Sequence, residues 1–430
     1  MGLLIILLIS IYTVLGYILL NRSAVFYNGL LKVIIGFFLS VSLITLFFFL
    51  AVFFKVPFVV FLVFSFVFGI SVATLVVYKN KGILKPSSKL KFSPWYVVIS
   101  VFLFIYTYRF HFDRWGSWDA WAIWNLHAKF LLGDNFFSLF SKNMVWSHLD
   151  YPLLLPSIVA LLWKGFGISA IIPALVAYAF SALIPLSSFA SLREKKQVIP
   201  AILVLIIYLM DSEFALLASQ QYADTILSLS ILLTFIAYNH LQDKKDAKYG
   251  IAVMGFLAAT CGWVKNEGLL FFLVFTIFFV ASNFRKFNSL KYYFLGALFP
   301  VIVIMLFKVF CSPANDIVSG QGESTVHKLF DINRYDITVT YFWNLLLNSY
   351  PLMLLFIVLY LVFNRRVLIS FQFGVLITLL AGYFMIYIIT PNELNWHLAT
   401  SCTRLFHHIY PCFIYCMLYQ LKSESFLISE

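Results

Sequence analysis

The stretch VIIGFFLSVSLITLFFFLAVFF (residues 33–54) carries no charged side chain. At a rise of about 1.5 Å per residue, a helix of this length crosses the roughly 30 Å hydrocarbon core of a lipid bilayer. Similar apolar runs recur along the chain, at residues 3–20, 57–78, 95–108, 168–190, 198–210, 224–240, 249–264, 268–283, 292–311, 341–363, 367–389 and 408–420. This repetition predicts an all-α protein, a polytopic transmembrane helix bundle of about 13 spans.

The composition agrees with a membrane protein. Hydrophobic residues make up 62% of the 430 residues, charged residues make up 11%, and the mean hydropathy is +0.94. These values are more apolar than those of soluble domains, and the apolar runs leave no stretch for a separate large soluble domain. The first run, 3–20, lacks the basic start and the small-residue cleavage site of a secretory signal, so we expect it to be retained.

The net charge of +12 does not indicate nucleic-acid binding, because the basic residues gather in short connectors. These connectors are residues 79–91, 193–196, 244–248, 285–291 and Arg365 with Arg366. The positive-inside rule places such connectors in the cytoplasm. Since 79–91 and 193–196 then lie on the same side, residues 153–164 form either a short re-entrant or interfacial helix or a crossing with an unrecognised partner.

The chain divides at the first basic connector. Residues 1–78 hold three spans with few polar residues and are predicted to form an accessory N-terminal unit, followed by a basic cytoplasmic linker, 79–94. We expect a catalytic membrane domain over 95–420 and a cytoplasmic tail over 421–430. The first outward connector of that domain, 109–151, is predicted to be a large extracytoplasmic loop with amphipathic interfacial helices.

Four tryptophans of this loop, Trp115, Trp118, Trp121 and Trp124, are spaced three residues apart. On a helix this spacing drifts by about sixty degrees per step, so the indoles form a broad amphipathic face. One interpretation is an aromatic belt that anchors an interfacial helix. The alternative is a functional role for these indoles at the membrane surface.

The acids of the outward connectors are harder to explain by anchoring. A carboxylate beside the apolar phase is costly unless it is paired or functional. Asp119 is therefore the first candidate for a general base, and Asp150 is the second. The structural alternative makes Asp150 a helix N-cap with Pro152 in the first turn, and Asp224 a helix N-terminal acid favoured by the macrodipole.

Two cations belong to similar connectors. Lys265, Asn266 and Glu267 interrupt an apolar stretch and predict a turn at the outer boundary, where the lysine either pairs with the glutamate or faces an anionic ligand. Arg404 is more informative, because a guanidinium binds phosphate oxygens in a fork and keeps its proton. Its alternative is a charge that snorkels to the interface.

The sequence indicates no cofactor, and no convincing ligand set for a divalent metal. His407 and His408 are adjacent, so they point in different directions on a helix and make a poor metal pair. The five cysteines lack zinc-type spacing, and no nucleotide-binding motif occurs.

Several segments follow one another in a characteristic order. They are Asp119 leading through WAIWNLHAKFLL to Gly133 and Asp134, then DYPLLLPSIVALLWKGFG (150–167), YADTILSLSILL (222–233), WVKNEGLLFF (263–272) and HLATSCTRL (397–405). In order and local pattern they resemble the polytopic GT-C glycosyltransferases, in particular the lipid-A aminoarabinose and protein O-mannosyl transferase branch. The likeness covers residues 95–411.

The resemblance implies inverting transfer of a sugar from a polyprenyl-phosphate-linked donor to a hydroxyl of a lipid, glycan or protein acceptor. The reaction would take place at the extracytoplasmic face of the cell membrane, with Asp119 as the base and Asp150 and Tyr151 positioning hydroxyls. The phosphate-binding candidates are Arg404, Lys265, His397 and Lys129, and the substrate-binding candidates are Tyr151, His148, Trp118, Trp121, Tyr222, Asp224 and Glu267. All of these are expected to converge in one pocket.

Other classes of function stay open. A polyprenyl-linked glycan polymerase or ligase would use the same donor chemistry. A polytopic lipid or sugar transporter would place ionisable residues near the middle of the bilayer. A structural partner subunit would need no site at all.

Overall fold

The protein is helical throughout its described part. The structure is a computed structural model that describes residues 1–22, 25–26, 28–78, 93–133, 136, 147–242, 244, 247–315 and 324–421, and no strand occurs among them. Its helices are α1 (Gly2–Arg22), α2 (Gly29–Phe53), α3 (Phe58–Tyr78), α4 (Pro94–Arg109), a π-helix (Ala120–Trp124), α5 (Asn125–Leu132), α6 (Leu154–Phe166), α7 (Ile171–Glu194), α8 (Val198–Met210), α9 (Ser212–Ser219), α10 (Ala223–Leu241), α11 (Lys248–Val264), α12 (Asn266–Asn283), α13 (Phe287–Phe310), α14 (Thr325–Phe330), α15 (Ile332–Asn348), α16 (Pro351–Phe363), a 3₁₀ helix (Arg365–Ile369), α17 (Phe371–Ile389) and α18 (Leu394–Gln420).

Many of these helices have the length and composition of membrane spans. Within the described residues, eight are long and apolar enough to cross a bilayer, and the number rises to ten if each of two bent pairs is one span. The bent pairs are α8 with α9 and α15 with α16. The fold is therefore a polytopic helical membrane bundle. The count of about 13 spans and the boundaries of the accessory and catalytic units stay predictions, and most of the predicted linker (79–92) and tail (422–430) lies outside the described residues.

The bundle has two polar ends. Helix α10 runs from Asp224 at one end, which we call the site face, to His240 at the other, which we call the basic face. At the basic face, Nδ1 of His240 lies 3.3 Å from a carboxylate oxygen of Glu194, the last residue of α7. The connector that follows Glu194 and the turn around Lys286 both lie at this end, the second beside a cavity of about 290 Å³.

Helix α6 lies along the site face. Its 13 residues give a length of about 20 Å, which is too short for the hydrocarbon core. Its C-terminal end reaches the first residues of α1 and α3, because Gly165 packs against Gly2 and the Lys164 ammonium lies 5.1 Å from the ring centroid of Phe58. Asn28, between α1 and α2, bonds to Glu194 at the basic face, so α1 begins at the opposite end, the site face. Both ends of α6 are thus at the site face, which favours the re-entrant or interfacial alternative for residues 153–164.

Candidate functional site

The site begins with the turn between α11 and α12. Lys265 has extended backbone between the two helices, which confirms the predicted turn. Gly268 makes the reversal possible, because a Cβ there would lie 1.9 Å from the carbonyl oxygen of Cys261. The reversal holds Lys265 inside the bundle, where the residue is 1% exposed.

The Lys265 ammonium is held by two carboxylates. It lies 3.0 Å from Oδ1 of Asp224 and 3.2 Å from Oε1 of Glu267. Burial alone would lower the pKa of Lys265, but the charges of Asp224 and Glu267 outweigh it and the pKa is raised, although Arg404 acts in the opposite sense. Lys265 is therefore charged and neutralised by its neighbours.

Asp224 joins this turn to α18. It lies in the first turn of α10, as predicted for a helix N-terminal acid, and its Oδ1 also lies 2.7 Å from Nε2 of His408. Its Oδ2 is buried and has no hydrogen-bond partner among the described residues. His407 lies beside Thr225 instead, with 3.4 Å between Nε2 and Oγ1. The described residues contain no group of three His, Cys, Asp or Glu side chains that could hold a metal ion.

The structure brings Asp119 and Arg404 together across a separation of 285 residues. Nη1 of Arg404 forms an ion pair with Oδ2 of Asp119, and the two side chains are 16% and 18% exposed, respectively. The guanidinium also lies over the ring of Tyr222, with its Cζ 5.1 Å from the centroid. The Nε atom of Arg404 is buried and has no partner among the described residues.

The loop before Asp119 is tied to the turn between α9 and α10. The side-chain amide of Gln221 donates to the carbonyl oxygen of Asp113 at 2.6 Å. The backbone N–H of Ser117 donates to the carbonyl oxygen of Gln220 at 3.3 Å. Gly116 has a φ of +67°, and a Cβ there would lie 2.8 Å from the Gln220 carbonyl oxygen. This close approach places Asp119 near the start of α10.

Tyr151 lies at the centre of a stack of rings. Its ring is nearly parallel to those of Trp124, 5.4 Å away, and His148, 5.0 Å away. The Lys265 ammonium lies 5.5 Å from the Tyr151 centroid. Burial raises the pKa of Tyr151, and so do the charges of Glu267 and Asp150. Its hydroxyl therefore stays protonated and can donate a hydrogen bond.

The π-helix separates the tryptophans of the loop. Trp124 is buried, whereas Trp118 and Trp121 are exposed and pack edge to face, with their centroids 4.4 Å apart. A π-helix has i→i+5 hydrogen bonds, so the tryptophans do not follow the α-helical period on which the prediction of one shared face depends. The structure thus leaves Trp118 and Trp121 available for a membrane interface or a ligand and places Trp124 in the core.

Asp150 does not cap a helix, so that prediction is wrong. Helix α6 begins at Leu154 after an N-cap at Leu153, because the Asp150 carboxylate is engaged elsewhere. Its Oδ2 accepts from the side-chain amides of Asn266 at 2.6 Å and Asn315 at 2.8 Å. Asp150 is 4% exposed, so these amides provide partners for one oxygen of a carboxylate that is almost fully buried.

Sequence reasoning did not assign Lys308, Asn266 and Asn315 to the site. Lys308, near the end of α13, donates to the carbonyl oxygen of Asp150 at 2.5 Å and to Oδ1 of Asn266 at 2.6 Å. A single lysine inside the apolar run 292–311 was the available signal, since a charge there must reach the boundary or a partner.

Three other predicted residues are placed less centrally. The His397 ring packs edge to face on Tyr387 with the centroids 4.9 Å apart, and its Nδ1 is buried and has no partner in the described part of the chain. Lys129 is exposed on α5, and none of the contacts given above involves it. Asp134 lies outside the described residues.

We call Asp119, Arg404, Asp224, Lys265 and Glu267 the site cluster.

The comparisons with known proteins identify no relative. No protein-family model, no curated protein and no solved structure matches this chain significantly.

Proposed function

We propose that the protein is an inverting GT-C-type glycosyltransferase of the cell membrane, which transfers a sugar from a polyprenyl-phosphate-linked donor to an acceptor hydroxyl. The acceptor belongs to a lipid, a glycan or a protein. The observation that carries the proposal is the pairing of Asp119 with Arg404 at one polar end of an otherwise apolar bundle. A base and a phosphate ligand are the two groups that such a transfer needs.

The reaction is a direct displacement. The acceptor oxygen attacks the anomeric carbon, the bond from that carbon to the phosphate oxygen breaks, and polyprenyl phosphate leaves with the electron pair. Asp119 takes the acceptor proton, and Arg404 stabilises the charge that develops on the phosphate. A phosphate monoester is a good leaving group, so no strong general acid is needed.

The ion pair links donor binding to the release of the base. Arg404 carries five N–H donors, one of which engages Asp119, while its Nε has no partner among the described residues. A phosphate that binds this fork competes for the guanidinium and weakens its hold on Asp119. The carboxylate then accepts from the acceptor hydroxyl once the donor is in place.

The charges support an orientation with the site face outside the cell. Among the connectors that were predicted to be cytoplasmic, the described residues around Glu194 and Lys286 lie at the basic face. A basic end is expected on the cytoplasmic side. The site cluster would then face the extracytoplasmic side, where the lipid tail of the donor stays in the bilayer and its phosphate meets Arg404.

The test is a transfer assay on purified full-length protein in liposomes, supplied with polyprenyl-phosphate-linked sugars and a membrane lipid extract as the acceptor. Release of polyprenyl phosphate is measured for the wild type and for Arg404→Ala. Arg114→Ala is the matched control, because Arg114 is an exposed arginine of the same face. Loss of release only in Arg404→Ala supports the proposal. Equal release by both variants, or no release by the wild type with any donor, contradicts it.

Two alternatives give different readouts in the same liposomes. A polymerase or ligase would transfer more than one sugar or a preassembled glycan, which mass spectrometry of the product shows. A transporter would move labelled donor across the bilayer without releasing polyprenyl phosphate. The buried charges favour the transferase over the transporter, because those described here, such as Lys32, Asp224 and Lys265, lie at the two ends of the bundle.

A further inference from the structure

The cations of the site face differ in what they contact. Lys265 is bound by two carboxylates and Arg404 by one. The Lys308 ammonium contacts two neutral oxygens, the Asp150 carbonyl and the Asn266 amide oxygen. An ammonium has three donors, so one N–H of Lys308 is uncommitted among the described residues.

Asp150 has a matching free acceptor. Its Oδ2 accepts from Asn266 and Asn315, and no described residue donates to its Oδ1. The Asp150 and Lys308 charges are of opposite sign and nearly cancel, so this part of the site has no net charge to attract a phosphate. It offers an acceptor and a donor side by side, which suits a group that both donates and accepts.

A sugar hydroxyl is such a group. One hydroxyl of a vicinal pair can donate to Oδ1 of Asp150, and its neighbour can accept from the Lys308 ammonium. Asn266 bridges Asp150 and Lys308 at 2.6 Å to each, which fixes the spacing between donor and acceptor before any ligand binds. Preorganisation of this kind lowers the entropic cost of binding.

We propose that Asp150, Asn266 and Lys308 form a saccharide subsite, which binds two neighbouring hydroxyls on the sugar of the donor. The assignment rests on the proposed transferase function. It divides the donor between two places, with the phosphate at Arg404 and the sugar at Asp150 and Lys308. Lys308 is then a determinant of sugar recognition and contributes nothing to the binding of the phosphate.

The experiment compares two probes on purified full-length protein in a non-ionic detergent. The first is farnesyl phosphate, and the second is a set of farnesyl-phosphoryl sugars with and without one of the two hydroxyls, namely mannose, glucose, galactose and their 2-deoxy forms. For the sugar it prefers, we expect the wild type to bind the glycosylated probe roughly tenfold more tightly than farnesyl phosphate, since only the glycosylated probe can form hydrogen bonds with the charged groups of the subsite. In Lys308→Met this preference disappears, while the affinity for farnesyl phosphate is unchanged.

Two further variants keep the result interpretable. Lys308→Arg retains charge and donors and should restore part of the preference. Lys291→Met removes an exposed lysine from the other end of the same helix and should change nothing. A melting curve of each variant in the same detergent shows whether it is folded.

The outcomes separate the two proposals. If Lys308→Met keeps the preference for the glycosylated probe, or weakens both probes equally, the saccharide subsite is wrong while the transferase stands. The transferase proposal itself is wrong if the wild type binds neither probe, or if Arg404→Ala binds farnesyl phosphate as tightly as the wild type does. In either case the saccharide subsite is wrong too.

Discussion

Two buried polar clusters at opposite ends of the bundle differ in how completely their atoms are partnered. At the basic face, the carboxylate of Glu194 accepts from the backbone N–H of Asn28 at 2.9 Å and lies 3.3 Å from His240. Ser191 lies 2.8 Å from both Nε2 of His240 and the hydroxyl of Tyr415. We call this group the clamp cluster, because it joins α7, α10 and α18 to the chain before α2.

The site cluster leaves several buried atoms unpartnered in the part of the chain that the structure describes. These atoms are Oδ2 of Asp224, Oε2 of Glu267, Nε of Arg404 and, close by, Nδ1 of His397. A buried polar atom without a partner costs about 1–3 kcal/mol, so such atoms need an explanation. Within these two groups, the clamp atoms named above all have partners, whereas the site cluster has buried atoms whose hydrogen-bonding capacity a ligand can use. Arg193, Gln197 and Asn239, next to the clamp cluster, also have buried side-chain atoms without a partner among the described residues, so the contrast applies to the two clusters and not to the two whole ends of the bundle.

The strongest test of this contrast removes the charge of Asp119. Asp119→Asn should lower the rate of sugar transfer roughly a hundred- to ten-thousand-fold, because a positioned general base contributes about that much. The transfer assay in liposomes measures it. Asp113→Asn is the control, since Asp113 is an exposed acid in the same loop and should keep the wild-type rate. A transfer rate for Asp119→Asn within tenfold of wild type would contradict the assignment of the base.

A substitution at Lys265 tests whether part of the site cluster stabilises the fold, as the clamp cluster does. Lys265→Met leaves the carboxylates of Asp224 and Glu267 without the cation between them. Removal of one partner from a buried ion pair costs about 3–5 kcal/mol, so we expect the free energy of unfolding to fall by that amount. Denaturant titration in detergent micelles measures it, with Lys291→Met as the exposed-lysine control. A stability equal to wild type would mean that Lys265 faces the ligand and does not support the fold.

The sequence predicts much of the site cluster. The charge pattern predicts that the segments carrying Asp119 and Arg404 lie on the same side of the membrane, so their proximity is expected from the sequence. The structure differs in one respect, since Arg404 lies inside α18 (Leu394–Gln420) and not in a connector before it. The turn at Lys265 follows from three polar residues that interrupt an apolar run. Such inferences succeed because the bilayer restricts where charged side chains can lie.

The remaining features, which the sequence does not predict, depend on packing between helices that are distant in the chain. The N-cap prediction for Asp150 failed because amides from α12 and from Asn315 compete for its carboxylate. Lys308 lies within an apolar run, and the three-residue spacing predicts that Trp124 shares a face with Trp118 and Trp121, because a π-helix is not visible in the spacing. The clamp cluster was not predicted at all, since His240 and Glu194 each look like ordinary residues at the end of a span.

A smaller effect is expected when the clamp is weakened. Glu194→Gln removes the charge that accepts from Asn28 and faces His240, so the free energy of unfolding should fall by about 1.5–3 kcal/mol, the usual value of a hydrogen bond to a charged group. The transfer rate per folded molecule should stay at the wild-type value, because the proposed donor binds at the opposite end of the bundle. Stability and rate are measured on the same preparation. A loss of rate without a loss of stability would show that the clamp takes part in function.

The smallest effect concerns His127, which supports the loop that carries the site. Its Nε2 donates to the carbonyl oxygen of Ser147 at 2.8 Å.

Burial lowers the pKa of His127 to about 4; the bond to Ser147 opposes this shift, and the charge of His148 adds to it. The unfolded chain has the ordinary value of about 6.5, so the unfolded state binds more protons below that pH. Stability from the neutral ring is therefore fully present above about pH 6.5 and is lost as the pH falls toward 4. Between pH 7 and 5.5 we expect a loss of about 1 kcal/mol that is absent from His127→Asn. Parallel curves for the two proteins over this range would show that the ring is already accessible to protons, and that the loop is held less firmly at His127 than the clamp is at Glu194.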